Sequence, residues 1–150
     1  MTVLAWIFSA YAMHLAGNEP ITQHRSQVAA SAVTEVLEKS VSLFPEDGVW
    51  GELKTGLFLL KIGFHESRFD ARAKNGAGDC GVGQVATTTA LHFGSSCEKM
   101  QASIVEGFQV SLWTLQAAKL SCGKSMLAIA CAYASGQCNG ATKVAQELIP

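Results

Sequence analysis

Residues 63–90 read GFHESRFDARAKNGAGDCGVGQVATTTA, and the fold of the chain turns on how this stretch is parsed. Ahead of it, Trp50, Leu53, Leu57, Leu60 and Phe64 recur at steps of three and four residues. That spacing predicts an amphipathic helix over residues 50–65, because 3.6 residues per turn place such positions on one face. Glu66 then falls in the last helical turn. A glycine-rich loop follows, and a second helical segment is expected to open near Gln84.

A carboxylate at a helix C-terminus stands against the macrodipole, which carries roughly half a negative charge there. Phe64 and Phe69 beside it would strip water from the carboxyl. Both effects raise the proton affinity of Glu66. A carboxyl that stays protonated near neutral pH can serve as a general acid.

Composition bounds the alternatives. The chain has 150 residues, 49% of them hydrophobic and 15% charged, with a net charge of −1. This length supports one domain with a conventional core, and the composition excludes a disordered chain. No basic face or Lys/Arg run is present, so nucleic acid is not an expected partner. Five cysteines favour disulfides with one thiol left over, although sequence does not pair them.

Outward from the central stretch, residues 3–16 are strongly apolar. Leu4, Ile7, Phe8, Tyr11 and Leu15 trace one helical face, which suits a core or interface helix. An export signal with Ala10-Tyr11-Ala12 as a small-residue cleavage site accounts for the same residues, although no basic residue precedes the run. Residues 1–17 are therefore an apolar helix or a signal segment, and residues 18–150 the main domain. The run falls short of the ~20 residues a membrane span needs. Val33, Leu37, Val41 and Phe44 predict a helix over residues 24–43, and Pro45-Glu46-Asp47-Gly48 a turn. Ser103-Ile104-Val105-Glu106 is a capping-box signature. Further helices are expected over residues 124–134 and 140–148. No sustained period-two alternation occurs, and only residues 71–82 could hold a small hairpin. The class is mostly α.

Other motifs carry less. Gly76-Ala77-Gly78-Asp79-Cys80-Gly81 matches a dinucleotide fingerprint but follows a helix, where that motif needs a preceding strand. His65, Glu66, Asp70 and Asp79 lack the spacing of a zinc or calcium site, so no metal and no cofactor is expected. Cys80 with His92 would make a cysteine nucleophile and base, and a wall peptidase or amidase.

Two ordered blocks carry a more specific signal. Glu66-Ser67-Arg68-Phe69, Asn75-Gly76-Ala77-Gly78, Gly81-Val82-Gly83-Gln84 and Thr89-Ala90 form the first. Ala128-Ile129-Ala130-Cys131-Ala132-Tyr133-Ala134-Ser135-Gly136 forms the second. Together, over residues 50–145, they resemble the soluble lytic transglycosylase domain and its goose-type lysozyme relatives. Three departures stand out: Val82-Gly83 replaces Leu-Met, Val85-Ala86 replaces Met-Pro, and Ala134 replaces an Asn.

The resemblance implies a lysozyme-like domain with the glycine-rich loop or hairpin beside the catalytic helix. It implies Glu66 as catalytic acid and then base on the MurNAc-β-1,4-GlcNAc bond of peptidoglycan, with 1,6-anhydromuramoyl products. Ser67, Gln84 and Tyr133 are implied as substrate-binding residues. Asn75-Gly76-Ala77-Gly78-Asp79 also resembles the goose-type lysozymes, which makes Asp79 a candidate second catalytic group and muramidase hydrolysis the alternative. The other alternative is a non-catalytic glycan-binding module. The expected partner is the peptidoglycan glycan strand. A periplasmic or extracellular monomer is the expected setting, from a bacterial envelope or a phage lysin, with an envelope or virion assembly partner in either case.

Overall fold

In a computed structural model, which describes residues 2–150, the chain is helical with no sheet among those residues. Eight α-helices occur in this order: α1 Val3–Ala16, α2 Pro20–Lys39, α3 Val49–Ser67, α4 Thr87–His92, α5 Cys97–Ala102, α6 Ile104–Cys122, α7 Met126–Ser135 and α8 Thr142–Leu148. A single 3₁₀ turn, Pro45–Asp47, joins α2 to α3 through Gly48, as the Pro-Glu-Asp-Gly sequence predicts.

The central helix is α3. Phe58, Leu59, Leu60 and Ile62 are fully buried at adjacent positions, so α3 is covered on most sides, by α1, α2, α6 and α8. Trp50, in its exposed first turn, is 67% accessible and thus no part of the buried face that its spacing suggested. A one-faced pattern read from sequence understates how far a central helix is enclosed.

Helix α2 begins on Pro20, whose fixed φ and missing N–H suit a first helical position. It ends at Lys39, earlier than expected. Val41 and Phe44 therefore lie beyond it, Val41 exposed and Phe44 buried in the connection. Helix α6 starts where its capping sequence says: the Ser103 hydroxyl accepts the Glu106 N–H. The reciprocal half of the box is absent, because the Glu106 carboxylate accepts the Ser95 hydroxyl instead, at 2.6 Å.

Helix α1 packs on α2 and α3 with Phe8 and Ala12 buried. The Phe8 ring lies over Gly56, where any side chain on α3 would overlap it. Gly63, one turn before Glu66, similarly makes room for Phe108 and Val82. These two glycines of α3 thus receive aromatic side chains from α1 and α6. Phe8→Ala should destabilise the fold by about 3–5 kcal/mol, the usual cost of a core Phe→Ala change. Urea unfolding of the two proteins measures it. A loss below about 1 kcal/mol would mean that α1 is not docked.

Two disulfides form, Cys80–Cys97 and Cys122–Cys138, and Cys131 is a buried free thiol. The first ties the glycine-rich loop to α5; the second ties the end of α6 to the loop after α7. Each closes a short loop, worth roughly 3 kcal/mol on chain-entropy grounds. The bond at Cys80 removes the thiol that a cysteine-nucleophile reading requires.

Candidate active site

Helix α3 ends abruptly after Ser67. Arg68 and Phe69 both adopt left-handed backbone angles (φ 54° and 62°), and their N–H groups close the helix on Phe64 and Gly63 carbonyls. For residues with side chains this conformation costs roughly 1–2 kcal/mol each. Burial of Phe69, at 1% exposure and 5.8 Å from the Phe64 ring centroid, offsets part of that cost. The reversal leaves Glu66 in the final turn, its side chain 24% exposed.

The following loop is held by two isolated antiparallel bridges, Lys74 with Cys80 and Cys80 with Val85, rather than by a full hairpin. Beneath it sits a small second core of Cys80, Val85, Ala90, Cys97, Met100 and Val110. The disulfide and this core keep the loop against the end of α3.

Between loop, α6 and α7 runs a groove of about 390 Å³. Glu66, Asp79, Gln84, Thr89, Thr114 and Tyr133 line it, with the small residues around Ala134 on the α7 side. Burial pushes the Glu66 carboxyl above the ordinary carboxylate range; the imidazole of His65 draws it partly back, and the charge of Asp79 adds a smaller upward push. A larger hollow of about 520 Å³ lies between α1 and α2. It shares no lining residue with the groove.

The site residues named from sequence divide into two sets. Glu66, Asp79, Gln84 and Tyr133 meet in the groove. Asp79 accepts a hydrogen bond from the Asn75 amide at 2.8 Å. Gln84 does not open a helix: it sits in a left-handed turn (φ 48°), its side-chain amide donates to the Gly81 carbonyl at 2.9 Å, and α4 begins only at Thr87.

Ser67 lies outside the groove lining. Its hydroxyl stands 2.8 Å from the Val82 carbonyl and 3.0 Å from that of Gly63, and accepts the Asp70 N–H. The side chain expected on substrate instead fastens the loop to α3. Tyr133 needs a similar correction. It lines the groove, but its hydroxyl, expected on substrate, donates to the Gly83 carbonyl at 2.7 Å and lies 3.1 Å from the Ser111 hydroxyl. Burial keeps this phenol protonated far above neutral pH, so it remains a donor.

Gly83 is the reason these oxygens can meet. A Cβ there would overlap the Ser111 hydroxyl and stand 2.6 Å from the Tyr133 hydroxyl. Gly83, where the resemblance has a Met, is therefore matched to Ser111 and Tyr133. Two contributors escaped the sequence reading, Thr114 on α6 and Glu147 on α8. Glu147 accepts from or pairs with His65, its Oε2 2.8 Å from His65 Nε2. Neither sits in a local motif that could have announced it.

Neither a curated protein nor a solved structure matches the chain significantly. The model of the transglycosylase SLT domain does match, over residues 57–147, from the catalytic-helix candidate to α8. That span covers more than half of the 150 residues and contains every groove residue named above. The chain belongs to the transglycosylase SLT domain family, whose members are peptidoglycan lytic transglycosylases, enzymes of the glycosidase type.

Proposed function

We propose that the chain cleaves the MurNAc-β-1,4-GlcNAc bond of peptidoglycan with Glu66 acting first as acid and then as base. The observation that carries this is a single carboxyl of raised proton affinity, three-quarters buried, at the floor of an open groove. Protonated Glu66 donates to the glycosidic oxygen, and the GlcNAc leaves with that proton. Oxocarbenium character develops at C1 of the muramoyl residue. The carboxylate then takes the proton of that residue's C6 hydroxyl, and the oxygen closes on C1 as a 1,6-anhydro ring. The carboxyl returns to its starting form and no water is consumed, so one group suffices for both transfers.

Gln84, Thr89 and Thr114 supply polar groups along the groove for the sugar hydroxyls and acetamides. Tyr133 and Ser67 act at one remove, by fixing the loop that forms the groove wall. The disulfides support a setting outside the reducing cytoplasm, periplasmic or extracellular. Helix α1, packed into the core through Phe8, is retained as part of the working domain in this reading.

A second reading rests on Asp79, which lines the same groove as Glu66. Hydrolysis requires such a second carboxylate, to position water or stabilise the cation. Asp79→Asn separates the two. On the anhydro route it lowers peptidoglycan cleavage by less than about tenfold, since ring closure needs no second carboxylate. A loss as large as that of Glu66→Gln would support the two-carboxylate hydrolase. Glycan binding without any cleavage by the unaltered protein would instead support a binding module.

A further inference from the structure

Next to Glu66 stands a group the mechanism does not use. His65 occupies the same last turn of α3, its side chain 29% exposed. Nε2 lies 2.8 Å from Oε2 of Glu147 on α8, a hydrogen-bonding distance. With Glu147 ionised, Nε2 donates to it, and a proton taken up by the ring lands on Nδ1, which then points an N–H at Glu66. Nδ1 is buried, has no hydrogen-bond partner, and lies 3.6 Å from Glu66 Oε1. Buried polar atoms without partners are rare in folded proteins. Here a small movement of either side chain would bring Nδ1 and Oε1 into hydrogen-bonding range.

We propose that His65, anchored from behind by Glu147, is a positioning residue for Glu66: it orients the carboxyl and stabilises its ionised form between the two proton transfers. The proposal rests on Glu66 being the acid and base described above. Burial favours the protonated carboxyl and so helps the first transfer, but it penalises the carboxylate that must persist until the C6 hydroxyl is in place. A ring protonated at both nitrogens offsets that penalty by donating from Nδ1 to Oε1, and a second carboxylate on its far side keeps the ring from turning away. Glu147 is 55% exposed, so solvent hydrates the outer end of this array while the inner end faces the groove.

The other groups around the pair are accounted for. Asp79 acts on Glu66 from the loop, and Tyr133 from α7 is uncharged at working pH. Arg68, the nearest cation in sequence, lays its guanidinium over the Phe64 ring at 4.2 Å and donates to the Phe64 carbonyl. No cation other than a protonated His65 makes an ion pair with Glu66 among the described residues.

Two substitutions discriminate because each imitates one ring nitrogen. In His65→Asn the side-chain amide occupies the region of Nδ1, facing Glu66; in His65→Gln it reaches toward the position of Nε2, facing Glu147. Cleavage of purified peptidoglycan is measured against pH for the full chain, both variants and Glu66→Gln, each checked for folding by its melting curve. Activity requires protonated Glu66 and falls as pH rises through its folded value. His65→Gln should move that fall upward by about half a pH unit or more and lower the maximal rate. His65→Asn should hold the fall closer to the unaltered protein.

The reverse order, with Gln normal and Asn shifted, would overturn the proposal, because His65 would then matter only through Glu147. An unmoved fall in both variants would overturn it too. Continued cleavage by Glu66→Gln would overturn the assignment of Glu66 itself, a separate result. Should a variant not fold, the unaltered protein still decides: the Glu66 carboxyl carbon, followed by NMR, should titrate in two steps, the second in parallel with the His65 ring. A single step would contradict the coupling.

Discussion

Replacing Glu66 by Gln should lower peptidoglycan cleavage by about 10³-fold while leaving the protein as stable as before or slightly more so. The rate loss follows if, as proposed, Glu66 gives and reclaims the proton, since positioned acid–base groups contribute roughly 10²–10⁴-fold. Gln has nearly the same shape, so groove and glycan binding survive. The stability effect has its own sign. Burial raises the proton affinity of Glu66 in the folded state above that in the unfolded chain. The folded state therefore binds the proton more tightly, and stability is lost as pH rises from the unfolded carboxyl value through the folded one. Above that window the native protein bears the cost of a poorly solvated carboxylate, which Gln lacks. A melting temperature about 2 °C higher for the variant at neutral pH is expected, converging with the unaltered protein below about pH 4. Scanning calorimetry at the two pH values, beside a cleavage assay, reads both effects. A variant that melts well below the parent at neutral pH would mean that Glu66 is a stabilising ion-pair residue.

Gly83→Ala should be the most damaging single methyl group in the groove wall. Its Cβ would fall on the Ser111 hydroxyl and close to the Tyr133 hydroxyl. Those oxygens must move, and the Tyr133 hydroxyl is the one that holds the loop: it donates to the Gly83 carbonyl, while Ser111, bonded to the Gly107 carbonyl of its own helix at 3.0 Å, stands beside it at 3.1 Å. Overpacking of this kind costs about 1–3 kcal/mol. A further ~1 kcal/mol is lost with the Tyr133 hydrogen bond. The loop also carries Asp79 and Gln84, so a shift of about 1 Å there should reduce cleavage by roughly 10²-fold. Gly83→Ala combined with Tyr133→Phe and Ser111→Ala, which clears the two oxygens, should recover part of the stability. Chemical denaturation of the single and triple variants provides the comparison. Equal stability of Gly83→Ala and the unaltered protein would show that the loop is not pinned this way.

The parts of the fold that could be read in the sequence are those set by local chemistry. The position of Glu66 at a helix end was legible because the apolar spacing runs up to Phe64 and the chain must then turn. Ser103 marks the start of α6 because a hydroxyl at that point has one obvious use, the Glu106 N–H. The mostly helical class followed from the same periodicities. What was misread depends on neighbours distant in sequence. Gln84 looks like a helix start until Gly81 and the Cys80–Val85 bridge force a left-handed turn on it. Ser67 and Tyr133 look like sugar ligands until Val82 and Gly83 carbonyls are found beside their hydroxyls. Trp50 shares the spacing of buried residues but falls where α3 emerges from its neighbours. Glu147 had no local signal at all, because its meaning comes from His65, on a helix that α8 meets only in the folded chain.

Groove and proton chemistry also remain separable in experiment. Phe8, Gly56 and the disulfides act on whether α3 is held, and changes there should alter melting before they alter the pH dependence of cleavage. In the proposed mechanism Glu66, His65 and Asp79 act on the proton, and changes there should do the reverse.

The most direct test is the mass of the muramoyl ends released from purified peptidoglycan by the unaltered protein. Proton return from the C6 hydroxyl to Glu66 predicts 1,6-anhydro ends, lighter by one water than reducing ends. Reducing ends alone, lost together with the Glu66 carboxyl, would show that water rather than the C6 hydroxyl is the acceptor of the muramoyl group, and would contradict the two-transfer role of Glu66.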